Sequence, residues 1–265
     1  MSINSYLTDL ASDLVLSADE KSSIGTSINT LSRRLNLYFD NGELHKHFQF
    51  GSSTRGTILP RKADSGSDID YMVVFNNPNN YKPDTLLGYI KKFMKKYYST
   101  SEIYRDSPTM VLELNHIKFE LVPAKQDYFG NLSIPSKSNL LTEWMSTDPT
   151  GFNSKLTDAN TRNSSKLKPV IRLMKYWNRG KLKGHYSSYS LEEWIVNKYT
   201  YFPKTLIRDY VYEIIESLSY NLSDSETFKN NLNSSKGIIK KCKEYESKDM
   251  PYYALSEIKK LFPEI

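Results

Sequence analysis

The stretch HFQFGSSTRGTILPRKADSGSDIDYMVVF, residues 47–75, contains two short apolar and aromatic runs separated by a polar loop. The first run ends at a Gly-Ser pair, Gly51 and Ser52, and the second begins with two aspartates, Asp68 and Asp70. The backbone N–H groups of a Gly-Ser turn can face a phosphate without an intervening Cβ, and the serine hydroxyl adds a donor. Residues i and i+2 of a strand face the same side, about 7 Å apart, so these carboxylates can share a pair of divalent cations. The stretch therefore predicts a site for a nucleotide phosphate and Mg²⁺.

Two alternatives to this interpretation exist within the same stretch. Gly51 and Gly56 have the spacing of a nucleoside-triphosphate P-loop, but Thr57 stands where that loop needs its lysine, which excludes it. A D-x-D pair by itself is more typical of a polar loop leading into a strand. Phosphoryl transfer depends on positioning and charge neutralisation, however, so a phosphate turn about a dozen residues before the pair favours the functional interpretation.

Composition indicates a soluble chain with a partner of negative charge. The 265 residues can form one large domain or two lobes with a sizeable core. The net charge of +6 and the pI of about 9.0 fit nucleoside triphosphates as well as RNA. A basic stripe is predicted on one helix, and such stripes are more often solvated faces than nucleic-acid sites; it consists of Lys91, Lys92, Lys95 and Lys96.

Several classes of protein are excluded or disfavoured. No apolar run approaches the roughly 18 residues of a membrane helix. The N-terminal segment has acidic residues and no basic region, so we expect no signal peptide. The single cysteine, Cys242, excludes a disulfide framework, and the four histidines lack metal-ligand spacing. These features lead us to expect a cytoplasmic protein.

The hydrophobic pattern predicts helices, then alternating strands and a helix, then more helices. Residues 5–39 have helical spacing, and Ser17 with Glu20 predicts a capping box at the second helix. Four strands are predicted at LHKHFQF, DYMVVF, TMVLELN and IKFELVPA, with a helix at PDTLLGYIKKFMKKYYS. We predict an α+β chain with a catalytic lobe at residues 1–135, a connection at 136–165 and an α-helical lobe at 166–265.

The order of these motifs resembles the polymerase-β-like nucleotidyltransferase superfamily, in which GS-x-x-x-GT is followed by D-x-D and an apolar strand. That family has a third carboxylate on a later strand, and FELVPA supplies Glu120 at the matching place. Aspartate is usual there, and the extra methylene of glutamate would move the carboxylate by about 1.5 Å. Glu113 in VLELN is a less favoured candidate. The resemblance implies a nucleotidyltransferase lobe with a small mixed sheet, and an active site in the cleft between that lobe and the helical one.

A segment of the second half narrows the resemblance. SKLKPVIRLMKYWNRGKLKGHYSSYSLEEW, residues 165–194, is similar to 2'-5'-oligoadenylate synthases and cyclic GMP-AMP synthase, and most similar to their bacterial relatives, the CD-NTases. The resemblance implies that Lys175 reaches the triphosphate, that Ser188 adds a hydrogen bond and that Tyr189 stacks on a base.

The same resemblance implies roles for the first-half residues. Gly51 and Ser52 would hold the donor triphosphate, and Asp68, Asp70 and Glu120 would bind two Mg²⁺ ions, with Mn²⁺ as a possible substitute. Glu120 would also help to deprotonate the acceptor hydroxyl.

The favoured hypothesis is a nucleotidyltransferase that makes a cyclic or short oligonucleotide second messenger from ATP, GTP or other NTPs in antiphage signalling. A separate effector protein would read the product, and we expect no requirement for nucleic acid and no membrane association. Two alternatives stay open. The same core could modify a small molecule, a tRNA or a protein, or the chain could be a catalytically weak nucleotide-binding homologue, as Glu120 and the basic stripe suggest.

Overall fold

The computed structural model describes residues 1–40, 42–77, 79–106, 108–136 and 143–264. The chain divides into two units, which are treated separately below. The sheet unit consists of Ser17–Arg61 and Gly66–Asn153, and the helical unit consists of Met1–Leu16, Lys62–Ser65 and Ser154–Ile265.

The elements of both units follow in chain order, with their limits. They are α1 (Ile3–Asp13), α2 (Ala18–Tyr38), β1 (Leu44–Phe50), α3 (Ser52–Arg55), β2 (Asp68–Phe75), α4 (Pro83–Tyr97), β3 (Glu102–Asp106), β4 (Thr109–Glu113), β5 (Lys118–Gln126), β6 (Leu132–Pro135), β7 (Trp144–Thr147), α5 (Gly151–Arg162), α6 (Leu167–Gly180), α7 (Ser188–Tyr199), α8 (Ile207–Ser217), α9 (Glu226–Ser247) and α10 (Pro251–Lys259).

The sheet unit is built on a mixed sheet, as the sequence predicted. Among the described residues its strand order is β1-β2-β5-β4-β3, with β6 beside β5 and β7 beside β6. Strands β2 and β5 run parallel, and the other described pairs are antiparallel. At the start of β2 and β5, buried residues such as Ile69 and Phe119 alternate with half-buried polar ones, so one face joins the core and the other carries charged side chains. The residues that follow along both strands are mostly buried on both faces.

Most predicted elements of the first half are confirmed. The four predicted strands and the helix α4 are present, and the predicted lysine stripe is exposed on α4. The capping box is also present, because the Ser17 side chain accepts from the Glu20 N–H while Glu20 Oε2 accepts from the Ser17 N–H. Strands β3, β6 and β7 were not predicted. β3 is largely exposed and β7 only half-buried or exposed, so neither shows the buried alternation that identifies a strand.

The second half of the chain forms helices, as predicted. The residues of the helical unit differ, however, from those of the predicted α-helical lobe. Helix α1 belongs to this unit rather than to the sheet unit, and Arg172 of α6 donates hydrogen bonds to the Ala11 carbonyl. Strand β7 lies inside the segment predicted as a connection. The described helices include none that is both long and apolar enough to cross a membrane.

Candidate active site

Three acidic residues lie on two neighbouring strands, on the partly exposed face of the sheet unit. Asp68 and Asp70 begin β2, and Glu120 is the third residue of β5. The parallel register places Asp70 directly beside Glu120 and Asp68 beside Lys118. All four side chains are half-buried, and since partners in a register face the same side, they form one polar group. The structure thus unites acids that lie far apart in the sequence.

Lys118 makes ion pairs with two of these acids. Its Nζ lies 2.9 Å from Glu120 Oε1 and 3.5 Å from Asp68 Oδ2. Burial and then the negative charge of Glu120 raise the pKa of Asp68 to about 6, although Lys118 opposes the change. Burial by itself lowers the pKa of the Lys118 ammonium, but the hydrogen bond and charge of Glu120, together with Asp68, raise it overall. The raised pKa of Asp68 thus reflects burial first and the neighbouring charge of Glu120 second.

Gly51 connects the turn after β1 to the carboxylates. Its φ is +77°, a backbone conformation that other residues adopt only with strain. A Cβ at this position would overlap the carboxylate of Asp70, which packs against the Gly51 backbone. Glycine is therefore required here both by conformation and by the close approach of the acid.

The turn itself is fixed by local hydrogen bonds. Gly51 precedes the four-residue helix α3, and Thr54 Oγ1 donates to the Gly51 carbonyl at 2.9 Å. Gly56 ends α3 in the left-handed conformation, which lets the Thr57 N–H bond back to the Ser52 carbonyl at 3.0 Å. Ser52 is half-buried. This geometry holds Ser52 directly after the glycine that contacts Asp70.

The carboxylate oxygens of Asp68, Asp70 and Glu120 are of the ligand type that binds hard divalent cations. Mg²⁺ prefers oxygen ligands, and carboxylates on neighbouring strands are its usual protein ligands together with substrate phosphates. As the side chains stand, no three acidic, histidine or cysteine residues in the described ranges converge closely enough to hold an ion. The ammonium of Lys118 lies between two of the acids instead.

The predicted residues of the second half belong to the helical unit. Lys175 on α6 is 6% exposed, and Glu192 on α7 is fully buried. The Nζ of Lys175 lies 3.1 Å from Oε1 of Glu192. Ser188 and Tyr189 are the first residues of α7, and both are exposed. In the structure Lys175 thus pairs with a carboxylate inside its own unit. The roles of all three residues in nucleotide binding stay predictions.

Two further acidic and basic residues bear on the site. Glu113, the less favoured third carboxylate, lies beside Lys118 in the register of β4 and β5, and its carboxylate binds Arg61 Nη2 at 2.7 Å. Lys118 was missed by the sequence analysis. Its signal was present, because Lys118 precedes Glu120 by two residues, the spacing at which strand residues share a face.

Comparison with known proteins identifies the family. Residues 1–160 match the Second Messenger Oligonucleotide or Dinucleotide Synthetase (SMODS) domain. Over 107 residues the chain is 31% identical to a probable cyclic nucleotide synthase of Bacillus cereus. That match covers 38% of this chain and 31% of the relative, so it spans about a third of the curated protein.

Solved structures extend the likeness in fold to almost the whole chain. The apo form of Vibrio cholerae DncV gives a TM-score of 0.76 at 14% identity, covering 99% of this chain and 95% of that one. The E. coli CdnC structure with ATP gives a TM-score of 0.73 at 13% identity, covering 98% and 97%. At these identities the likeness shows a shared polymerase-β-like nucleotidyltransferase fold, as the sequence implied. The family match covers more than half of the residues, and with this fold it shows that the chain belongs to the SMODS family of bacterial CD-NTases.

Proposed function

We propose that this chain is a nucleotidyltransferase that uses divalent metal ions to join nucleoside triphosphates into a short, cyclic oligonucleotide. One observation carries the proposal. The parallel register sets Asp70 beside Glu120, with Asp68 on the same face and the Gly51 backbone against Asp70. This arrangement supports a single site, within the sheet unit, made of the predicted phosphate turn and the acids.

The acids would hold Mg²⁺, or Mn²⁺ in its place. Bound Mg²⁺ would supply positive charge to the triphosphate and favour ionisation of the attacking hydroxyl. Asp68, Asp70 and Glu120 are the proposed ligands, and Glu120 also accepts the proton of the attacking hydroxyl. The N–H groups at Gly51 and Ser52, together with the Ser52 hydroxyl, bind the donor phosphates.

The reaction is an in-line substitution at the α-phosphorus of the donor. A ribose hydroxyl of a second nucleotide loses its proton to Glu120, and its oxygen forms a new bond to that phosphorus. The bond from the α-phosphorus to the oxygen bridging to the β-phosphorus breaks, and pyrophosphate leaves. A second transfer between the ends of the linear intermediate would close the ring.

Residues of the helical unit would bind the rest of the nucleotide. The exposed ring of Tyr189 can stack on a base, an interaction worth about 1–3 kcal/mol. Ser188 next to it can donate a hydrogen bond. Lys175 would contact the triphosphate only by exchanging Glu192 for a phosphate oxygen.

Structures of relatives support NTP substrates. CdnC is described with ATP, Bradyrhizobium diazoefficiens CdnG with GTP, and DncV with a linear adenine–guanine intermediate. For this chain we propose ATP, GTP or both as substrates, with no nucleic acid required. The product would be read by a separate effector protein in antiphage signalling.

The test is product formation from labelled nucleotides. The protein is incubated with α-³²P-labelled NTPs and Mg²⁺ or Mn²⁺, treated with phosphatase and chromatographed. We expect a phosphatase-resistant product that falls at least a hundredfold, on the order of 3 kcal/mol, with Asp70→Asn or Glu120→Gln. Glu113→Gln is the matched control, because this acid lies in the adjacent strand and binds Arg61.

Three results would contradict the proposal. The first is no product with either metal, and the second is an undiminished product with Asp70→Asn. A third is loss of product with Glu113→Gln but not with Glu120→Gln, which would move the third carboxylate to β4. Label retained on RNA or protein would favour the alternative acceptors, and turnover only with added RNA or DNA would refute the absence of a nucleic-acid requirement.

A further inference from the structure

Lys118 occupies an unusual position for a lysine near proposed metal ligands. It is two residues before Glu120 on β5 and beside Asp68 in the register of the parallel pair. Its side chain is only 15% exposed, and its ammonium contacts the carboxylates of both acids, at 2.9 and 3.5 Å. The positive charge thus lies between two of the three groups that would bind Mg²⁺.

We propose that Lys118 is an internal counter-ion which a divalent cation must displace, so that metal binding here exchanges one cation for another. This inference rests on the proposed function, because it takes Asp68 and Glu120 to be metal ligands.

Electrostatics make joint occupancy unfavourable. A lysine ammonium and a divalent cation bound to the same carboxylates would lie only a few ångströms apart, where like charges repel strongly in a partly desolvated site. The lysine head is a compact charge on a flexible four-carbon stem, so it can move away without a change of the backbone. The side chains of Lys118, Asp68 and Glu120 are 15%, 29% and 20% exposed, so the displaced ammonium starts next to solvent rather than in a closed core.

The lysine also has a use before the metal arrives. Without it, Asp68 and Glu120 would face each other as two like charges across the strand pair. The ammonium attracts both carboxylates, which lowers the electrostatic free-energy cost of holding them close together in the metal-free protein. The same contact opposes metal binding, because two ion pairs are lost when the cation enters.

The experiment measures metal binding alone, without nucleotide and without activity. Mn²⁺ is titrated into the full chain and followed by electron paramagnetic resonance, with Mg²⁺ competition. Because a partly exposed ion pair is a modest stabilisation, we expect Lys118→Gln to bind Mn²⁺ on the order of tenfold tighter than wild type. Lys118→Arg should bind as wild type does. The matched control is Lys125→Gln on the same strand, whose Nζ lies 3.3 Å from Asn80 Oδ1.

A second readout is thermal stability. In EDTA the melting temperature of Lys118→Gln should fall below that of wild type, and saturating metal should raise it by more than it raises the wild type. Lys118→Met serves the same comparison should the glutamine variant fold poorly.

The outcomes separate this inference from the proposed function. Equal or weaker Mn²⁺ affinity in Lys118→Gln and Lys118→Met, with wild-type binding that Asp70→Asn removes, overturns the exchange but leaves the metal site intact. Undiminished Mn²⁺ binding in Asp70→Asn, or no binding by wild type and variants alike, overturns both. Tighter binding in Lys118→Gln that Lys125→Gln does not share supports the exchange, whatever the activity.

Discussion

Two lysine–carboxylate contacts, one in each unit, have nearly the same length and very different surroundings. Lys118 lies 2.9 Å from Glu120, and Lys175 lies 3.1 Å from Glu192. The first pair is 15% and 20% exposed and has further acids beside it. The second pair is 6% and 0% exposed. Distance alone therefore does not tell which of the two contacts can be exchanged for a ligand.

The difference lies in what happens to the carboxylate when the lysine leaves. A half-buried acid can take up water or a metal ion in place of the ammonium, so the loss is small. A fully buried acid cannot take up water in this way, so the loss of its lysine is costly. We infer that in the sheet unit a metal ion can replace the Lys118 ammonium. In the helical unit the Lys175–Glu192 pair instead holds α6 against α7.

The largest expected effect is on the buried pair. Lys175→Met should lower the free energy of unfolding by about 3–5 kcal/mol, because removing one partner of a buried ion pair is strongly destabilising. Urea denaturation followed by circular dichroism measures it.

The control is the double variant Lys175→Met/Glu192→Leu, which removes both charges and should recover most of the lost stability. If the double variant recovers stability but makes no product, the pair has a role in the nucleotide site as well as in the fold. An unchanged free energy of unfolding in the single variant would show that the pair does not fix the two helices.

The next effect concerns the contact between the turn and the acids. Gly51→Ala would require a strained positive φ and would push the Asp70 carboxylate out of place, so we expect about a hundredfold loss of turnover. Product formation and Mn²⁺ binding measure it.

Gly56→Ala is the matched control for this change. Gly56 has a similar φ of +72°, yet a Cβ there would meet nothing within 4 Å. Strain of about 1–3 kcal/mol should therefore lower the stability of both variants, whereas metal binding should be lost only at Gly51. Equal metal binding in the two variants would mean that Asp70 does not depend on the glycine.

The smallest effect is a pH dependence of the metal-free protein. Since the folded pKa of Asp68 is about 6, against a usual 3.8, the folded chain keeps a proton that the unfolded chain has lost between these values. Stability due to Asp68 thus falls as pH rises through this window and stays low above it. In EDTA at pH 8, Asp68→Asn should be more stable than wild type by on the order of 1–2 kcal/mol.

At pH 4 the two proteins should have nearly equal free energies of unfolding, because Asp68 is then largely protonated in the folded chain. Urea denaturation at both pH values provides the comparison. A stability difference that is the same at pH 4 and pH 8 would contradict the raised pKa.

The sequence was informative wherever a local pattern carries the chemistry. Strand spacing and the family motifs pointed to Asp68, Asp70 and Glu120, and the structure places them on one face of the β2–β5 pair. Their roles stay predictions. The spacing of Lys118 from Glu120 was visible in the sequence, but its contact with Asp68 was not, because that contact depends on the register between two strands. The Lys175–Glu192 pair could not be predicted either, because it depends on how two helices pack.

Helix assignment shows the same limit. The apolar positions of α1 predict a helix, but they do not indicate which unit it packs into. In the structure α1 belongs to the helical unit. Strand β3 shows the opposite limit, since its exposed residues carry no pattern to find.

The parallel pairing of β2 with β5 has a consequence for how this architecture can vary. Parallel neighbours need a long crossover, and here α4, β3 and β4 provide it. The three acids of the candidate site all belong to β2 and β5, so the crossover can grow, shrink or accept an inserted module at its outer hairpin without moving them. Proteins of this architecture can thus differ in the length and sequence of the crossover while the acids on β2 and β5 keep their positions.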